Sequence, residues 1–132
     1  MGKFAISVVV LFVLSMALGI LVHGVILAPE YAKLASLFRP EADAQSHFWA
    51  MLLAHAFIAV GFTWMYIRGR EAKPWLGQGL RFGLAVAVIS TIPVYLIYLA
   101  VQPMPDTLVL KQIAFDTIAM LVMGAVVAFV NK

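Results

Sequence analysis

Four long apolar stretches divide the chain, and short polar segments separate them. They cover residues 4–28, 48–67, 82–101 and 108–130, each about 20 residues or more. At about 1.5 Å of rise per residue, such a stretch matches the roughly 30 Å hydrocarbon core of a bilayer. Because lipid offers no partners for backbone N–H and C=O groups, each stretch is predicted to be a helix. The pattern predicts an all-α fold, a single membrane domain over residues 1–132 built as a four-helix bundle.

The first polar connection carries a shorter periodic pattern. Apolar side chains recur there at helical spacing, at Tyr31, Leu34, Ala35 and Phe38. Pro29 precedes them and is compatible with the first turn of a helix. A short amphipathic helix is therefore predicted over residues 30–38, lying on the outer membrane surface or against the bundle.

Composition excludes a soluble globular protein. The chain is 64% hydrophobic and 11% charged, whereas soluble domains average about 25% charged residues. It has no cysteine, which excludes disulfides, thiolate metal sites and cysteine nucleophiles. The net charge of +3 is interpreted as a sign of membrane orientation, so no nucleic-acid partner is predicted.

The basic residues indicate how the bundle is oriented. Six of them flank one side of the predicted spans, namely Lys3, Arg68, Arg70, Lys73, Arg81 and Lys132. The other side has only Lys33 and Arg39, beside several carboxylates. The positive-inside rule then places both termini and the connection between the second and third spans in the cytoplasm. The first apolar run, of about 25 residues, exceeds the usual 7–15 of a signal peptide, so it is predicted to remain as an anchor.

Small residues indicate where helices approach one another. Gly83 follows Gly79 in a GxxxG pattern, and small residues recur at the same spacing as Gly124 with Ala128 and Ser15 with Gly19. Such pairs allow close helix packing within one chain or between chains. Pro93 lacks an amide hydrogen and is predicted to kink the third span.

A polar layer lies at one depth beneath the outer surface. Counting from the outer ends of the predicted helices at about 1.5 Å per residue, His23, His55, Tyr95 and Asp116 all lie roughly 8–12 Å deep. Gln112 shares a helical face with Asp116, and Gln102 shares one with Tyr95. Ser7 and Ser15, by the same count, lie away from every histidine.

Asp116 is the residue of greatest interest in this layer. A carboxylate at the centre of a membrane helix costs about 2.5–3.5 kcal/mol on insertion scales, so Asp116 must be protonated, hydrogen-bonded or paired. The candidate partners are His55, His23 and Tyr95. Two interpretations stay open: a proton-relay or ligand site, and a hydrogen-bond network that only fixes helix register.

Cofactor and enzyme hypotheses have weaker support. His23 and His55 could ligate a haem between the first two spans, or a transition metal together with Asp116. The sequence has no haem-attachment motif, and no hydrolase, zinc-protease, P-loop or dinucleotide motif. No cofactor, metal site or catalytic residue is therefore predicted.

Three segments give the chain a resemblance to known proteins. They are Gly19–Gly24 leading into Pro29–Tyr31, Tyr66–Glu71, and Phe115–Thr117 followed by Gly124 and Ala125. In these the chain resembles short four-helix proteins of the bacterial inner membrane that form families of unknown function. The resemblance implies the fold and the membrane, and it implies no activity.

The function expected from these observations is that of an accessory or structural subunit, without catalysis, in a larger membrane complex of the respiratory or photosynthetic type. Its partners would be the lipid bilayer and other membrane subunits or further copies of the chain. One alternative is a small oligomeric transporter or proton conductor, although residues 118–123 below Asp116 are all apolar. The other is a haem- or metal-binding protein that uses His23 and His55.

Overall fold

A computed structural model describes residues 2–132, and over that range the chain is helical with no strand. The helices are α1 (Lys3–Ile26), α2 (Ala28–Ala32), α3 (Glu41–Ser46), α4 (Phe48–Gly69), α5 (Trp75–Val101) and α6 (Asp106–Val130). Four of them, α1, α4, α5 and α6, are long and apolar enough to cross a membrane. The predicted all-α class with four long apolar helices is confirmed.

The third long helix begins earlier than the sequence pattern predicts. α5 starts at Trp75, whereas the apolar run begins at residue 82. Pro74 occupies the position before the helix, where its fixed φ favours helix initiation. Gly79 and Gly83 of this segment are buried against α6, so tertiary packing outweighs their weak helix propensity.

The first connection is also built differently from the prediction. Residues 30–38 do not form one helix: α2 ends at Ala32, and a separate 3₁₀ turn spans Ala35–Leu37. Leu34 between them leaves the helical region, with φ −116° and ψ 30°. α3, which follows Pro40, carries no strong apolar periodicity and was not predicted.

Both chain ends and the α4–α5 connection lie at one end of the bundle, here called the basic end. Lys3 Nζ donates to the backbone oxygen of Lys132 at 2.8 Å, and Arg70 donates to that of Asn131. Buried Asn131 donates to Ser7 Oγ at 2.8 Å. Residues 27–47 and the α5–α6 turn lie at the other end, here called the opposite end.

The helices are arranged so that α1 packs on α4 and α6, and α6 packs on α5. Near the basic end α4 also reaches α5, because the Phe82 ring lies 4.8 Å from Phe62 and 5.4 Å from Tyr66. Toward the opposite end, no such aromatic pair joins α4 and α5 within residues 2–132, and residues of both helices line a cavity there. The bundle is therefore closed between α4 and α5 at the basic end and splayed above it.

The α5–α6 interface depends on glycine. A Cβ at Gly83 would overlap the carbonyl oxygen of Met120, and one at Gly124 would overlap that of Gly79. A Cβ at Gly79 would also lie 2.7 Å from the Cβ of Ala128. The two backbones thus meet directly, as small residues allow between membrane helices.

Two of the long helices contain π-helical turns, at Ile20–Ile26 in α1 and at Ala87–Thr91 in α5. The second has a local cause, since Pro93 has no N–H and its ring excludes the carbonyl of residue 89. Ser90 Oγ donates to the Val86 carbonyl at 2.6 Å within this turn. Such turns shift the helical register and are frequent at functional sites.

Two apolar clusters hold the bundle together. The cluster nearer the basic end, here the basal cluster, contains Leu11, Ala59, Phe62, Tyr66, Met123, Val127 and Ala128. The cluster at the opposite end, here the distal cluster, contains Val22, Leu27, Met104, Leu108 and Val109. On α6 the residues between these clusters include Asp116, so polar groups lie between two dry layers.

Replacing Gly83 by alanine tests the α5–α6 interface. We expect Gly83→Ala to lower the free energy of unfolding by about 1–3 kcal/mol, because backbone must move to admit the methyl group. Gly77→Ala is the matched control, since a Cβ at Gly77 meets nothing within 4 Å and alanine favours helix. Unfolding midpoints in detergent measure both, and equal midpoints would contradict the close packing.

Candidate functional site

The polar layer centres on Asp116 of α6. His23 Nε2, from the π turn of α1, lies 3.2 and 3.1 Å from the two carboxylate oxygens. Tyr95 of α5 donates its hydroxyl hydrogen to the same carboxylate. The Asp116 side chain is only 16% exposed, so these partners replace water. Three of the four long helices therefore meet at one carboxylate.

The hydrogen bonds continue toward the opposite end through Tyr31 of α2. The Tyr31 hydroxyl lies 2.6 Å from His23 Nδ1, and Gln112 Nε2 donates to it at 3.0 Å. The resulting series of side chains, here called the polar chain, is Gln112, Tyr31, His23, Asp116 and Tyr95. It links α2, α1, α6 and α5 without a break.

The donors and acceptors of the polar chain fit one assignment of protons. Gln112 donates to the Tyr31 oxygen, so the Tyr31 O–H is free to donate to His23 Nδ1. The ring proton of a neutral His23 then sits on Nε2, where it is donated to the Asp116 carboxylate. Every contact in the chain is satisfied with a neutral imidazole.

A second assignment holds one more proton. Gln112 Oε1 is buried and has no partner within residues 2–132. If the amide turns over, this oxygen accepts from the Tyr31 O–H, and His23 can donate from both nitrogens as an imidazolium. The imidazolium would face the Asp116 carboxylate, so the polar chain can hold a proton with little movement of its atoms.

An ion pair between α6 and α2 holds α2 over this site. Lys111 of α6 pairs with Glu30 of α2, and this hydrogen bond is the main reason that the pKa of the Glu30 carboxyl lies below its usual value. Burial is the main cause that raises the pKa of Tyr31, and the negative Asp116 raises it further. Tyr31 therefore stays protonated and available as a hydrogen-bond donor near neutral pH.

His55 of α4 belongs to a separate contact. Its Nδ1 lies 2.9 Å from Ser15 Oγ of α1, and its ring packs on Gly19, where a Cβ would lie 3.5 Å from Cε1. The prediction that Ser15 lies away from every histidine is wrong. Counting depth from helix ends ignores the stagger of α1 against α4, which brings Ser15 level with His55.

The remaining predicted site residue, Gln102, lies outside the polar chain. It is exposed just beyond α5, and its backbone N–H donates to the Tyr98 carbonyl at 2.8 Å. Tyr31, by contrast, was predicted only as part of an amphipathic surface. It joins the site because the chain turns back over α1 after Leu27, which sequence periodicity does not reveal.

The chemistry of the donors limits what they could ligate. Within residues 2–132, no group of three histidine, cysteine or acidic side chains is placed to hold a metal ion. Both ring nitrogens of His23 are engaged, by Tyr31 and by Asp116. An axial bond from His23 to a haem iron would therefore require the polar chain to break.

A cavity of about 550 Å³ lies between α4 and α5, beside the polar chain. The polar residues that line it include His55, Tyr95, Tyr98 and Asp116, together with His23 and Ser15 of α1. Most of its other walls are aliphatic or aromatic. The sequence-predicted residues His23, His55, Tyr95 and Asp116 thus all line one cavity, although they form two separate hydrogen-bonded groups.

Comparison with known proteins identifies no relative: no protein-family model matches the chain, and no curated protein or solved structure is significantly similar to it. The resemblance to short four-helix inner-membrane proteins stays a prediction. Functional inference therefore depends on the residues and their geometry.

The hydrogen bond between Tyr95 and Asp116 is testable against a neighbouring tyrosine. We expect Tyr95→Phe to lower the free energy of unfolding by about 1.5–3 kcal/mol, the usual range for a hydrogen bond to a charged group. Tyr98→Phe is the control, because the Tyr98 hydroxyl makes no hydrogen bond within residues 2–132. The tyrosine hydroxyls that do so in this range are those of Tyr31 and Tyr95. Equal stabilities of the two variants in detergent would contradict the role given to Tyr95.

Proposed function

We propose that the chain is a multi-pass protein of the bacterial inner membrane with both termini in the cytoplasm. Four helices of sufficient length and apolarity support a membrane location. Their outward side chains are apolar, as lipid requires, and include Val13, Phe57, Ile89 and Leu110, each more than half exposed. The concentration of lysine and arginine at the basic end supports the orientation.

Within that membrane we propose an accessory, non-catalytic role in a larger complex of the respiratory or photosynthetic type. One observation carries this proposal: the most apolar stretch of α5 has few buried side chains. Of the 18 residues in this stretch, only 6% are buried. In the corresponding stretches of the other three long helices, 22%, 22% and 28% of the residues are buried. A face of this kind is available to another protein.

The uncovered part of α5 is its segment beyond the π turn, Ile92–Val101. None of its residues is buried, and α6 is the long helix on which it packs. Helices in membranes associate through packing of their side chains, so a partner helix beside Ile92–Val101 would cover this face.

The transport alternative has less support. Between the polar chain and the basic end lies the basal cluster, in which Leu11, Met123 and Val127 are at most 1% exposed. A conducting path needs polar groups or water across this layer. Thr63 has a hydroxyl at this level, and it is fully buried. The polar chain therefore ends at the apolar basal cluster. This arrangement favours a structural or binding role over conduction of ions or protons across the membrane.

A photoreactive residue on α5 tests the accessory role. Incorporated in place of Ile97, which is 58% exposed, it should crosslink to a different polypeptide when cells are illuminated. The crosslinked product should migrate with a high-mass complex in native gels after mild detergent extraction.

The matched control places the same residue at Val13 of α1, which is 61% exposed but lies on a helix already packed on α4 and α6. We expect lipid adducts there and no protein adduct. A product at Ile97 with twice the mass of the chain would show a homo-oligomer instead. Migration of the protein only as a monomer would also contradict an accessory role.

A further inference from the structure

Neither the polar chain nor the proposed partner surface accounts for the cavity between α4 and α5. Its volume of about 550 Å³ lies in the range of roughly 300–1,000 Å³ found for small-molecule sites. Phe57 on α4 and Val94 on α5 line it and are 70% and 43% exposed. Because α4 and α5 are splayed at this level, the cavity opens sideways, which is toward lipid in the proposed setting.

The lining residues limit the charge of an occupant. Among residues 2–132, no lysine or arginine lines the cavity, so nothing in that range would neutralise a carboxylate or phosphate there. Asp116 is the one acidic residue of this range in the lining, and its oxygens already accept hydrogen bonds from His23 and Tyr95. A cationic group would compete with these bonds. A neutral occupant fits the cavity best.

The walls indicate the shape of that occupant. Four aromatic rings line the cavity, those of Phe57, Phe62, Tyr95 and Tyr98. Aromatic rings favour stacked or edge-to-face contact with another ring. Aliphatic and methionine side chains, Leu18, Ile58, Met65, Met120 and Met123, form much of the rest. The cavity therefore suits a ring with an apolar tail.

His55, which lines the cavity, has an unused hydrogen-bond acceptor. Ser15 Oγ donates its single hydrogen to the Phe12 carbonyl at 3.0 Å, so toward His55 it can only accept. The hydrogen of a neutral His55 imidazole is thereby fixed on Nδ1. Its Nε2 carries a lone pair and makes no hydrogen bond within residues 2–132. An occupant with a hydroxyl group could donate to it.

Tyr98 supplies a second free polar group. It lies on α5 and lines the same cavity, and its hydroxyl has no partner within residues 2–132. A ring with two oxygens can donate to His55 and accept from Tyr98. We propose that the cavity binds a neutral, membrane-soluble aromatic molecule of the quinol class, with its hydroxylated ring at His55 and Tyr98 and its tail passing between α4 and α5.

Binding of 2-decylhydroquinone to the purified full chain in lipid nanodiscs tests this proposal. Radiolabelled ligand should bind saturably, at about one molecule per chain, after binding to empty nanodiscs is subtracted. The dimethyl ether of the same molecule keeps its ring and tail but cannot donate to His55. It should bind at least about threefold more weakly, the loss expected for one hydrogen bond.

Two glycines of α4 provide matched variants that should fold. Gly61 lines the cavity, and a Cβ there would meet nothing within 4 Å, so Gly61→Leu should place its side chain in the cavity and favour the helix. Gly69, at the end of the same helix, is equally open but does not line the cavity. We expect Gly61→Leu to weaken binding by about tenfold or more, and Gly69→Leu to leave it unchanged. Tyr98→Phe should weaken it by about three- to tenfold.

Three results would overturn the proposal. Absence of saturable binding would show that the cavity has no affinity for this class of molecule. Equal binding of the dimethyl ether would show that only the apolar tail is recognised. Equal binding by the two leucine variants would place the ligand outside the cavity. None of these results depends on whether the chain has an accessory role, because the measurement uses the isolated protein.

Discussion

A carboxylate far from water needs partners, and in this protein that need joins the helices. Asp116 lies between two apolar clusters of α6, where its charge has little solvent to stabilise it. Its partners come from α1 and α5 rather than from its own helix. Removing either donor would leave a buried polar group with fewer hydrogen bonds than it needs. The positions of α1 and α5 against α6 therefore depend on where the hydrogen-bonding protons of His23 and Tyr95 lie.

The rest of the architecture follows from where α6 can make close contact. Its glycine and alanine surface admits α5 at backbone distance near the basic end. Farther along, the π turn at Ala87–Thr91 changes the register of α5, and Tyr95 reaches Asp116. On the other flank α1 packs on both α4 and α6, which leaves α4 and α5 apart at this level. The cavity thus results from the packing of α1 and α5 on α6, while α4 is held by α1.

Much of this could be predicted from sequence, and the remainder could not for physical reasons. Apolar run length predicts the four long helices, and small-residue spacing indicates surfaces such as Gly83 and Gly124. His23, Tyr95 and Asp116 could be predicted as candidate site residues because they lie at similar depths when counted from the outer helix ends. Depth counted from helix ends cannot, however, report stagger or rotation, which decide that His23 reaches Asp116 while His55 reaches Ser15.

Other features depend on the path of the connections. Tyr31 enters the site because α2 folds back over α1 and is held by the Glu30–Lys111 pair. Helical periodicity describes which residues share a face, but it does not determine which way that face turns. The start of α5 at Trp75 likewise depends on packing of Gly79 against α6, a tertiary effect that local composition opposes.

The most direct test of this account is the distance between His23 and Asp116 in the membrane-reconstituted protein. With ¹⁵N-labelled histidine and ¹³C-labelled aspartate, solid-state NMR dipolar recoupling measures the separation of His23 Nε2 from the Asp116 carboxyl carbon. The account predicts a separation of roughly 4 Å or less, as a hydrogen bond requires, together with a signal that is absent in Asp116→Asn. A separation beyond about 6 Å would show that the carboxylate does not join α1 to α6, and it would contradict the account.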